Sequence, residues 1–227
     1  MFSTDDTIVA IATPAGRGGI GVVRLSGSEA ARIAGALIGR RAPLALRHAT
    51  FARVVDPAAP AARAVDQVVV TRFAAPRSYT GEDVVEISGH GSPVLLGQLV
   101  ELARQAGARL AEPGEFTLRA YLHGRLDLVQ AEAVADLVDA VTPRQARAAM
   151  DQLEGTLTAA IARIDAALFD LSARLEASLD FPDEGFHFIT PEAAALELQR
   201  LGGELAALSE SGRVGRVIRE GRLVVLR

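Results

Sequence analysis

The sequence predicts an α+β domain with a mixed sheet followed by an α-helical bundle, and three observations predict it. The first ~118 residues interleave short β-branched runs with few helical stretches, the pattern of a layered α+β fold rather than of a doubly wound sheet. After Phe116 the apolar spacing becomes 3 and 4 throughout, which is helical. Thr142-Pro143 and Thr190-Pro191 then punctuate that second half, each pairing a capping hydroxyl with a residue pre-set for a first helical turn.

The elements of the first half follow from local chemistry. Residues 7–12 and 20–25 are apolar and β-branched, and the glycine-rich stretch Ala15-Gly16-Arg17-Gly18-Gly19 between them reads as a tight loop joining two strands. Ser28 reads as the cap of a helix running to about Ile38. Strands are expected at 49–55, 67–73 and 84–87, with a surface loop at 57–62. Ser92-Pro93 opens an amphipathic helix to Gln105, and Gly107 stands just past its end.

In the second half, Asp127 and Gln130 form a capping-box pair that starts a helix at Leu128. Its expected seam is Ala131, Val134, Val138 and Val141. From Met150 through Leu153, Leu157, Ile161, Ile164, Leu168, Leu171, Leu175 and Leu179 one stripe continues, implying a rod on the order of 55 Å at 1.5 Å per residue. A third helix carries Leu198, Leu201, Leu205 and Leu208. Three single-seamed helices need one another to bury those seams. The domain reading is therefore 1–118, 119–220, and a last run, 221–227, in which Leu223 to Leu226 read as the first strand of a further domain.

Composition narrows the chemistry. The chain of 227 residues has 49% hydrophobic and 23% charged residues, enough for two modest cores. It lacks cysteine, which excludes disulfides, thiolate metal sites and a Cys nucleophile. All 24 of its Lys and Arg residues are Arg. A net charge of −4 gives no general attraction to nucleic acid. Without a long apolar run or a basic leader, a cytoplasmic protein with no membrane span is expected.

Three stretches could carry chemistry. The Gly16 to Gly21 loop could cradle an anion, but its spacing is no dinucleotide fingerprint and a glycine-rich turn is commonly only a turn. On the strand after it, Arg24 is an arginine among apolar residues that wants a carboxylate or a ligand, or else lies on a sheet edge. Glu86, among Val84, Val85 and Ile87, could accept a pair of N–H donors from an aminopyrimidinone-like edge. His90, between two glycines, reads as structural or as a site wall. Arg125, at the junction of the two halves, is either a ligand contact or the partner of Asp127. No catalytic residue and no metal ligand is identified.

The segments DTIVAIATPAGRGGIGVVRLSG, SYTGEDVVEISGHGSPV, PGEFTLRAYLHGRLDLVQAEAVADLVDA, LEASLDFPDE and REGRLVVL, in this order from Asp6 to Leu226, resemble the MnmE (TrmE) family of tRNA wobble-uridine modification GTPases. The resemblance implies a tetrahydrofolate-binding and dimerisation domain, then a helical domain interrupted by an inserted G domain. It implies a homodimer that binds 5-formyltetrahydrofolate and acts with the FAD-dependent protein MnmG at C5 of uridine-34 in tRNA. The family's folate-contacting Arg, Glu and Lys fall on Arg24, Glu86 and Arg125; the last departs by exchanging an ammonium for a guanidinium. GTP, magnesium and potassium would belong to the G domain. Its P-loop, G-x-x-x-x-G-K-[ST], is not among these residues, and the sequence has no Lys to serve one. Two alternatives stay open: an independent folate-dependent aminomethyltransferase, and a non-enzymatic helical scaffold.

Overall fold

The computed structural model describes residues 6–56, 64–180 and 188–220. The expected loop at 57–62 and the expected strand at 221–227 lie outside the described residues. The chain divides into two compact units, Met1–Asp127 and Leu128–Arg227.

The first unit is built on a six-stranded sheet. Its strands are β1 (Ile8–Ile11), β2 (Gly18–Ser26), β3 (Thr50–Val55), β4 (Ala64–Phe73), β5 (Val84–Gly91) and β6 (Arg109–Leu110). They lie in the order β3-β4-β5-β2-β1-β6, and every neighbouring pair is antiparallel except β1–β6. Alternation decides what each face buries. Val23 and Leu25 of β2, Val68 and Val70 of β4, and Val85 and Ile87 of β5 point into one core. Helices α1 (Ala30–Leu37) and α2 (Pro93–Gln105) add Ile33, Leu37, Leu96 and Leu99 to that core. Phe51, Val69 and Ile20 remain exposed.

Several local expectations need correction. The N-cap of α1 is Glu29, not Ser28, and no side chain of its own caps the helix. The Glu29 amide instead donates to the hydroxyl of Thr7, just before β1, at 3.0 Å, which satisfies one of the first-turn donors from outside the helix. The glycine-rich run is loop only in its first half; from Gly18 it is strand, with a register irregularity between Gly18 and Gly21. Opposite it, Gly91 has no room for a side chain, since a Cβ there would lie 2.6 Å from the Gly18 carbonyl oxygen. The backbones touch. Strand β6 is too short to show periodicity, and sequence reading misses it. Helix α3 (Glu115–Leu122) straddles the expected boundary at 118 and lies within the first unit.

The second unit is helical, with α4 (Leu128–Val138), α5 (Pro143–Leu153), α6 (Thr156–Asp180) and α7 (Pro191–Glu220). Thr142 forms a reciprocal capping box with Gln145, and the Thr190 hydroxyl accepts from the Ala193 amide at 3.2 Å, so both Thr-Pro starts act as expected. The expected continuous rod breaks between α5 and α6. Gly155 adopts φ +82°, and a left-handed residue ends a helix however well its apolar stripe continues. The seam of α4 also differs: Ala133 is its buried residue, while Val138 is 79% exposed. Gln130 donates through its side-chain amide to the Leu153 carbonyl at 2.9 Å, tying α4 to the end of α5. Along the longer stripes Ile164, Leu171 and Leu201 are buried, but Leu168, Leu175 and Leu205 are exposed. Among the described residues no helix is long and apolar enough to cross a membrane.

Candidate functional site

The sheet register brings two of the three expected residues face to face. Arg24 of β2 stands directly opposite Glu86 of β5, and β2 is an interior strand flanked by β1 and β5. Arg24 is therefore not an edge-strand arginine. Its Nε and Nη2 donate to one carboxylate oxygen, Glu86 Oε1, at 2.9 and 2.7 Å. Both side chains are half-buried, 26% and 30% exposed. Water reaches the pair, so its Coulomb energy is screened and its value lies in geometry. Oε2 of Glu86 and Nη1 of Arg24 make no hydrogen bond among the described residues, leaving an acceptor and a donor beside a formed ion pair.

Two aromatic rings lie against the Arg24 guanidinium. The guanidinium carbon of Arg24 lies 5.2 Å from the centre of the Tyr79 ring and 5.7 Å from that of Phe116. Both distances fall within the range of a cation–π contact. Tyr79 belongs to the loop between β4 and β5, and its hydroxyl shares a hydrogen bond with Thr117 of α3 at 2.8 Å. Arg125 is exposed and donates from Nε to the Ser78 carbonyl at 3.1 Å, so it touches the same loop one residue before Tyr79. The structure thus joins Arg24 to Glu86 and ties Arg125 to the loop carrying their aromatic wall.

Beneath this lies an ionic network that sequence reading missed. Arg119 of α3 is 1% exposed and donates to Asp6 Oδ1 at 2.5 Å, Glu115 Oε1 at 3.0 Å, Glu82 Oε1 at 3.1 Å and the Asp6 carbonyl at 2.7 Å. Arg109 of β6 bridges Asp6 and Glu115 at 2.5 and 2.6 Å. Glu82 also accepts from Ser26 at 2.6 Å, and Ser26 shares a bond of 2.6 Å with Thr80. The only sequence signal was a run of charges between residues 109 and 119, easily taken for a solvated face. Its partners Asp6 and Glu82 lie far away in sequence.

The network fixes proton affinities. The Arg109 guanidinium bound to Asp6 holds that carboxyl below its ordinary value, against the opposing effect of burial. For Glu115 burial is the largest influence and acts upward, but Arg109, the Glu112 amide and Arg119 together outweigh it and the net direction is down. A carboxyl with a depressed folded-state pKa contributes stability above its unfolded-state pKa and loses it as pH falls. Unfolding midpoints in urea should therefore drop as pH goes from about 5 toward 3, and Glu115→Gln should flatten that drop. A midpoint that stays level over this range would contradict the assignment.

His90 is placed by Asp66. Asp66 Oδ2 accepts from the His90 amide at 2.9 Å and Oδ1 meets His90 Nδ1 at 2.6 Å. This carboxylate completes backbone pairing where the β4–β5 ladder has ended at Val69–Ser88. Among the described residues no group of three or more His, Asp or Glu side chains could hold a metal ion.

Comparison with known proteins agrees with this layout. The family described as "GTP-binding protein TrmE N-terminus" matches residues 7–125, and the one described as "MnmE helical domain" matches residues 128–222. The chain is 48% identical over 223 residues to a tRNA modification GTPase MnmE of Koribacter versatilis, covering 97% of this chain and 49% of the relative. It is 46% identical to that of Thiobacillus denitrificans, covering 97% and 48%, and 45% identical to that of Nitrosomonas eutropha, covering 99% and 49%. The chain spans about half the length of the curated relatives it matches. With a sheet unit and a helical unit that each fall within a matching family, this chain belongs to the MnmE (TrmE) family of tRNA modification GTPases.

Proposed function

We propose that this chain supplies the reduced-folate-binding and self-association part of a GTPase system that modifies the wobble uridine of tRNA. In this reading it acts in the cytoplasm as a homodimer, together with the FAD-dependent partner MnmG at uridine-34. The observation that carries it is the half-buried Arg24–Glu86 pair, its guanidinium against two aromatic rings and Glu86 Oε2 uncommitted. A pterin ring is planar and bears N–H donors at its edge, and a carboxylate oxygen can accept from them. Arg125, beside the same loop, suits the ligand's carboxylates. GTP hydrolysis is not assigned to these residues, since the sequence contains no Lys for a P-loop.

Calorimetric titration with 5-formyltetrahydrofolate tests the reading. Glu86→Gln replaces an acceptor with an amide and removes a charge-assisted bond worth about 1.5–3 kcal/mol. Affinity should fall roughly ten- to a hundredfold. Arg125→Lys keeps the charge and should change affinity little. Equal affinity of Glu86→Gln and the parent would make Glu86 a strand residue with no ligand role.

A further inference from the structure

The Arg24 guanidinium is held in an unusual way for an arginine facing a carboxylate. The ordinary arrangement is a fork on a fork, two parallel bonds using both carboxylate oxygens. Here both bonds fall on Oε1, and the guanidinium lies against the rings of Tyr79 and Phe116. Tyr79 is itself anchored, since its hydroxyl meets Thr117, the residue after Phe116 on α3. One short helix thus contributes one aromatic wall and fastens the other.

We propose that Tyr79 is a positioning residue for the ligand site, acting through Arg24. Its ring, with that of Phe116, holds the guanidinium so that Glu86 Oε2 stays available to a planar ligand carrying an N–H edge. Without the ring, Arg24 is free to swing into the two-oxygen fork, which occupies the acceptor that the ligand needs. The inference rests on the reduced-folate reading above and adds the means by which the site is kept open. Phe116 plays the same part from α3.

The experiment is a double-mutant cycle in the full chain, titrated with 5-formyltetrahydrofolate. Tyr79→Leu should weaken binding about three- to tenfold, the range expected for one partly exposed cation–π contact. Tyr79→Phe keeps the ring and should stay within about twofold of the parent. In an Arg24→Lys background, which keeps charge but lacks the side-on pair of donors, Tyr79→Leu should have almost no further effect. Phe116→Leu repeats the cycle independently should Tyr79→Leu fold poorly. If Tyr79→Leu binds as tightly as the parent, or weakens binding by the same factor in both backgrounds, Tyr79 does not act through Arg24 and the proposal fails. Failure of the parent chain to bind the folate at all would instead overturn the underlying reading, so the two failures are distinguishable.

Discussion

Arg119→Met should destabilise the first unit by about 3–5 kcal/mol, the usual cost of removing one partner from a buried ionic cluster. The side chain is 1% exposed and its hydrogen bonds converge on Asp6, Glu82 and Glu115. Methionine fills much of the same volume, so the loss would come from taking the guanidinium away from Glu82 and leaving Asp6 and Glu115 to Arg109. A domain with only about 5–15 kcal/mol of stability would lose a large share of it. Arg119→Lys should be intermediate, because a point charge cannot meet acceptors spread around a planar fork. Thermal and urea unfolding would measure both. An Arg119→Met variant within about 1 kcal/mol of the parent would show that the cluster contributes little beyond what hydrophobic packing could replace.

Gly27→Ala should cost about 3 kcal/mol, combining a strained backbone with an overfilled space. Gly27 has φ +133°, and a Cβ there would lie 2.7 Å from the Thr7 Cα and 2.9 Å from the Asp6 carbonyl oxygen. Neither obstacle is a flexible side-chain end, so relief requires β1 to move. That movement would also disturb the Thr7 hydroxyl that receives the Glu29 amide and the Asp6 carboxylate that receives two arginines. Gly97→Ala is the matched control: it sits within α2 with nothing inside 4 Å of its Cβ, and it should stabilise by roughly 0.5–1 kcal/mol through helix propensity. Equal stability of the two variants would contradict the argument from backbone contact.

The parts of the fold legible in sequence were those encoded by neighbours. Pro93 and the apolar spacing behind it predict the bounds of α2, and the Thr-Pro pairs mark the starts of α5 and α7, since capping chemistry acts over three or four residues. Misreadings arose where a distant group supplied what a local one was expected to supply. The Glu29 amide finds its acceptor in the Thr7 hydroxyl, 22 residues away in sequence, where a local cap by Ser28 was expected. Arg24 and Glu86 were each identifiable as charges in apolar strands, but their pairing depends on register across 62 residues. Arg119 gave no comparable sign because it lies on a short helix, where a buried and an exposed arginine have the same local pattern. Gly155 shows a different limit: periodicity reports which face is apolar, and it is blind to a single left-handed residue that redirects the chain.

Helix α3 has only eight residues, too few to persist by its own propensity. Yet Glu115 and Arg119 lock it into the ionic cluster, while Phe116 and Thr117 reach the aromatic clamp. Opening this helix breaks charge pairs to Asp6, which precedes β1, and to Arg109 of β6. Its amide hydrogens should consequently exchange with solvent at nearly the rate set by global unfolding of the sheet unit, rather than at the rapid rate typical of a short peripheral helix. A ligand that engages Glu86 should slow exchange in α3 and the central strands together, making this segment a built-in reporter of occupancy.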